Sequence, residues 1–205
     1  MTENFDIFEV GDSDFSLDLP VKGDKLTKDS DIGNHAIINE RQFATPVFII
    51  IGYYQNAKSI VWNLCNENSY LQKNTMIYPA LNSFRQYYIE LTRKDSIRRF
   101  KLAEGLDYSK AGHAKTHSLV DLWKELVEFI KDSNPNPNDT TLLAIENLII
   151  EFNQLDEGSY NFRYYYDINR EGNIELLFKG RKVVEIENLY LTMCKMHNFL
   201  MAYLN

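Results

Sequence analysis

The chain lacks any long apolar run: the longest near its middle, Val47 to Ile51, is five residues, and Gln55, Asn56 and Lys58 soon follow. A bilayer crossing needs about 20 apolar residues, so no membrane partner is expected. The first residues, MTENFDIFEV, have no basic start followed by an apolar core, which argues against a secretory leader and for a cytoplasmic setting. Cysteine is scarce as well. Cys65 and Cys194 lie far apart and fit no metal or redox spacing, so two buried thiols in a reducing compartment are expected. Closely spaced glycines ahead of a helix, through which backbone amides reach a phosphate, are absent, and nucleotide hydrolysis by such a loop is excluded with them. No serine occupies a G-x-S-x-G setting, and no electropositive sequence surrounds either cysteine.

What is present suffices for a core. With 205 residues, 44% hydrophobic and 13% aromatic, the chain can bury one domain, and disorder throughout is excluded. The net charge of −7 argues against a nucleic-acid partner until its distribution is considered. Residues 1–36 hold nine acids against three lysines, which leaves the remainder near neutral. Residues 85–115 carry eight bases and four acids. An acidic arm and a basic segment therefore share one chain, and an arm of that sign is suited to cover the basic segment as a nucleic-acid mimic.

Organisation follows from periodicity. Residues 1–36 alternate acids with isolated apolar residues such as Phe5, Phe8 and Phe15, and read as a partly ordered arm. The remainder, 37–205, reads as a single helical domain. A first helix is expected over about 46–66, with Val47, Ile50, Ile51, Tyr54, Val61, Trp62 and Cys65 on one side. A second is expected with Pro79 near its first turn, its core stripe formed by Ile77, Leu81, Phe84, Tyr88 and Leu91 and broken at Asp95. Ser118 opens a third, with Asp121 three positions on as in a capping box. Two prolines in DSNPNPND end it, and Asp139 or Thr140 starts a fourth. YNFRYYYD and NIELLFKG read as two strands, a hairpin at about 160–180 with Gly172 in the left-handed turn position. A last helix runs from about Val184 to Leu204. The fold class expected is mainly α, a bundle of four to five helices with one small β-hairpin before the C-terminal helix.

Candidate chemistry is sparse. His113 and His117 are four apart, a spacing that ligates metal on a helix, but Gly112 precedes them and the helix starts after them, so no metal and no cofactor are expected. His197 reads as a boundary residue of the last helix. Asp156 and Glu157 read as solvated charges at a helix end.

One pattern carries a resemblance. PALNSFRQYYIELTRK, followed 27 residues after its glutamate by HSLVDLW, resembles the HEPN families of small prokaryotic helical proteins, with Arg85, the Glu90-Leu91 pair, Lys94 and His117 as the matching residues. NFRYYYDINREGN is similar to a segment that follows the helical part in some bacterial members. The resemblance covers roughly 76–130 and 160–204. It implies a cytoplasmic bacterial protein of toxin–antitoxin or phage-defence systems that works as a homodimer or with a heteromeric protein partner. Active HEPN ribonucleases carry an arginine four to six residues before a histidine, and none of the four histidines here has one. The favoured expectation is thus a non-enzymatic HEPN-like protein acting through a partner; the alternative is a module that binds or cuts RNA, so any enzyme here is expected to be a ribonuclease, with no catalytic residue assigned.

For the RNA alternative the candidates are Arg85, Arg93, Arg98, Arg99, Lys101 and His117. At about 100° per residue, Arg85 lies at the margin of the second helix's stripe, where its stem can pack while its guanidinium reaches a neighbour or a ligand. Glu90 and Lys94, one turn apart, are expected to form a surface pair worth about 0.3–0.5 kcal/mol.

Overall fold

The computed structural model describes residues 45–96, 116–133, 140–156, 158, 161–164, 166–169, 171–177 and 180–204, all within a compact unit spanning Arg41–Asn205. The acidic arm, Arg98, Arg99, Lys101, His113 and the side chain of Lys94 lie outside the described residues. Among those described, five α-helices surround one core, and a two-stranded antiparallel hairpin precedes the last of them. No helix among them is long and apolar enough to cross a membrane.

Helix α1 (Thr45–Cys65) buries Ile50, Tyr54, Ala57, Val61 and Leu64, which recur at alternating steps of four and three. Val47, Ile51 and Trp62, expected on that side, are exposed. The helix packs chiefly on the helix Tyr70–Glu90 and secondarily on the helix Ile186–Leu204, so only a narrow stripe is covered.

Helix α2 (Tyr70–Glu90) begins well before the expected point, and Pro79 stands in its interior. The start is set by Ser69, whose Oγ accepts from the Gln72 amide at 3.3 Å, while Glu67 Oε1 accepts from the Asn68 and Ser69 amides at 2.7 Å each. An interior proline removes one helical donor and crowds the carbonyl four residues back. The helix survives because the residues after it are anchored by packing: Ala80, Leu81, Phe84, Tyr87, Tyr88 and Ile89 are all buried.

From Leu91 to Ser96 the backbone widens into a π-helical turn. Thr92 Oγ1 donates to the Tyr88 carbonyl at 2.7 Å inside the core, which leaves Leu91 and Thr92 buried side by side. The segment read as one continuous helix from Pro79 therefore changes geometry where the bases begin to accumulate. Extra residues accommodated in this way recur at functional sites.

Helix α3 (Leu119–Ser133) starts as its sequence requires, with Ser118 Oγ accepting from the Asp121 amide at 3.3 Å. Its first amide is satisfied from another element: Leu119 N donates to Oδ1 of the buried Asn153 at 3.0 Å. Asn153 belongs to α4 (Thr140–Leu155), whose Leu142, Ile145, Ile149 and Phe152 enter the core while Leu143 stays in solvent.

The strands are shorter than their aromatic content suggested. β1 (Tyr166–Ile168) pairs with β2 (Ile174–Leu176) in the register Tyr166 to Leu176 and Ile168 to Ile174, and Gly172 takes the left-handed conformation at φ 84°. Residues 161–163, expected in the first strand, form a turn instead, because Phe162 is pulled into the core against Phe152. Helix α5 (Ile186–Leu204) is capped by the Glu185 carboxylate, which accepts from the Glu187 and Asn188 amides, and closes the core with Met193, Met196, Phe199 and Leu200.

Candidate anion site around His117

The site is built on a buried ion pair. Arg85 points inward from α2 and is fully buried. Its Nε lies 3.7 Å from Asp156 Oδ2, and Asp156 is equally buried. The second anchor is the chain just before α3: Arg85 Nη2 donates to the His117 carbonyl at 2.8 Å. One guanidinium thereby fixes the start of α3 and the end of α4 to the middle of α2. Burial lowers the Arg85 pKa from its ordinary value; the Asp156 carboxylate opposes that shift and Arg163 adds to it.

Asp156 is the opposite of the solvated loop charge its sequence suggested. Its Oδ1 accepts from the Asn161 amide at 2.9 Å, and Asn161 Nδ2 donates to the Leu155 carbonyl at 3.1 Å. These bonds tie Asn161 to the end of α4, two residues ahead of the exposed Arg163, whose charge is felt at His117.

His117 is itself exposed. Its pKa is lowered below the ordinary histidine value first by partial burial and then by the charges of Arg93, Arg163 and Arg85; Glu90 pulls the other way. Partial burial and the arginine charges thus both disfavour the protonated imidazole. Arg93 reaches this neighbourhood from the π-helical turn, half-buried. Glu90 is also half-buried rather than on an open surface, with Oε2 out of contact with solvent.

Of the six residues singled out in the sequence, Arg85, Arg93 and His117 come together. Arg85 is a positioning residue, since its guanidinium is out of reach of any ligand. Asp156 and Arg163 were missed. A signal for the first existed, because an arginine at the margin of a core stripe needs a buried acid, but nothing in the sequence says which of many acids supplies it. Arg163 lay within the segment read as a strand.

A second polar cluster lies between α1, α2 and α5. Tyr87 OH and His197 Nδ1 are 2.7 Å apart, and the His197 ring stacks on Tyr54 at 3.8 Å. Burial raises the pKa of both tyrosines above the ordinary range and, with Lys58, lowers that of His197. Cys194 lies 4.0 Å from the Tyr54 hydroxyl. Both cysteines are free and half-buried, less enclosed than expected, and burial followed by Glu187 and Glu185 raises the Cys65 thiol pKa, which disfavours its thiolate.

Together the fold and site define a small helical bundle with an exposed histidine whose backbone is held by a buried arginine. No protein-family model, no curated protein and no solved structure matches the chain.

Proposed function

We propose that the chain is a HEPN-like helical protein that binds the phosphate backbone of RNA through Arg93, His117 and Arg163, without cutting it. The observation that carries this reading is the exposed His117, whose carbonyl the buried Arg85 holds in place, with Arg93 and Arg163 close enough for their charges to lower its pKa. Guanidinium groups match phosphate geometry, and an arriving anion favours the protonated form of the nearby imidazole. The missing arginine-to-histidine spacing favours binding over cleavage.

Fluorescence anisotropy with a labelled single-stranded RNA tests this. Arg93→Ala and Arg163→Ala are each expected to weaken binding, and three phosphate contacts give a slope of log affinity against log salt of about −2. Undetectable affinity at low salt sinks the reading, and His117-dependent cleavage of the probe would move it to a ribonuclease.

A second reading, in which a non-enzymatic HEPN-like protein acts through a homodimer or a heteromeric partner in a bacterial defence or toxin–antitoxin system, is favoured by exposed apolar side chains. Phe48, Ile51 and Trp62 of α1 lie in solvent, as do Ile168 and Ile174 of the hairpin. Light scattering after size exclusion checks it: a strict monomer that retains no cellular partner counts against it.

A further inference from the structure

The turn that carries Arg163 has a second side. Asn161 and Phe162, the two residues before Arg163 in the chain, line a cavity of about 620 Å³ between the first half of α2, the end of α4 and the segment linking β2 to α5. Lys73, Arg181 and Lys182 contribute three cationic groups to its wall, and none of the described lining residues is acidic, although the chain as a whole is acidic. Like charges gathered around a concavity raise the local concentration of anions. Gly180, at a φ of 81° that side-chain-bearing residues rarely adopt, turns the chain just ahead of Arg181 and Lys182. Tyr70 and Tyr78 of α2 add rings that are 78% and 44% exposed. These are the early helical turns that precede Pro79.

Cations beside exposed rings, with no carboxylate among them, are the components that hold single-stranded nucleic acid: the cations take phosphates and the rings stack bases. Consecutive residues are about 3.8 Å apart, so Phe162 in the cavity wall and the exposed Arg163 that follows it, whose charge is felt at His117, place the two features within the reach of one strand. We infer that the cavity receives an unpaired base of a single-stranded RNA whose backbone lies across Arg93, His117 and Arg163, an inference that rests on the RNA reading above. A duplex keeps its bases stacked inside and cannot fill the cavity, so the site discriminates single from double strands.

The experiment uses the full chain and two fluorescein-labelled probes, an oligoadenylate of about ten nucleotides and a fully paired RNA duplex. Tyr70→Leu with Tyr78→Leu, and separately Lys73→Gln with Arg181→Gln, are expected to weaken the single strand at least about tenfold and the duplex less than about twofold. Arg163→Ala weakens both probes. A 2-aminopurine in the strand is quenched by the wild-type protein and not by the tyrosine variant. If Arg163→Ala weakens binding while both cavity variants leave the single strand unchanged, the inference falls and the RNA reading stands. If none of the variants changes affinity, both fall. Binding of adenosine monophosphate that the cavity variants abolish, with RNA affinity intact, makes the cavity an independent small-molecule site and also overturns the inference.

Discussion

Arg85 shows why a single residue can be the hardest part of a sequence to read. Helical spacing placed it at the stripe's margin, and the margin proved to be the interior, because α3 and α4 close over it from both sides. Spacing along one helix reports direction and is silent on what arrives from elsewhere. The same limit hid Asp156, whose neighbours in sequence are those of an ordinary helix end. Asp156→Asn leaves a buried guanidinium without its counter-charge and is expected to cost about 3–5 kcal/mol in chemical denaturation. Adding Arg85→Met to that variant removes the stranded charge, so the double variant is expected to recover part of the loss. A single variant within about 0.5 kcal/mol of wild type would show that the pair is not the anchor.

At the scale of elements, helix existence, type and most ends were legible, and the start of α2 was not. The stripe from Ile77 to Leu91 specified α2 because its apolar period is regular, and Ser118 specified the start of α3 because a cap is local chemistry. The start of α2 was misplaced by giving Pro79 its usual position over the cap that Ser69 supplies. Pro79→Ala restores the missing amide donor and is expected to raise the thermal midpoint, by an amount approaching the roughly 3 kcal/mol difference in helix propensity if the proline is unrelieved. A lowered midpoint would mean that the proline's shape is used in packing. The π-helical turn had one trace in sequence, the failure of the stripe at Asp95. The widening itself depends on Thr92 bonding inside the core, which no period reveals.

Over the whole molecule, two gradients of charge govern behaviour in solution. His117 and His197 titrate below the ordinary histidine value when folded, so between those lowered values and about 6.5 the unfolded chain holds more protons. Their contribution to stability is present above about pH 6.5 and is lost as pH falls through that window. Tyr54, Tyr87 and Tyr88 titrate above the ordinary value, so the unfolded chain loses protons first and stability declines above about pH 10. Denaturation across pH should show both flanks, and His197→Phe should flatten the acidic one; a profile unchanged by that substitution removes His197 as a cause.

Deleting residues 1–36 takes away nine acids and three lysines and leaves the chain near neutral. RNA affinity at low salt is expected to rise on deletion, with the gain shrinking as salt increases; an unchanged affinity at low salt contradicts it. The fold class was legible in the sequence because apolar period and caps are short-range. Of the site, Arg85, Arg93 and His117 were singled out in the sequence, but their anchoring was not legible, because Arg85 meets Asp156 and the His117 carbonyl only across the assembled core.

The hairpin has one further consequence. Every strand residue is exposed, and the register sets Tyr166, Ile168, Ile174 and Leu176 on one face of a two-stranded ribbon, an arrangement marginal by itself in water. Its amides should therefore exchange with deuterium through local opening, while those of Phe84 to Ile89, on the buried stretch of α2, should exchange only with global unfolding. The protein is then a slow-exchanging helical body with a fast-exchanging tongue, and a partner that docks on the tongue would announce itself as a loss of exchange at residues 166–176.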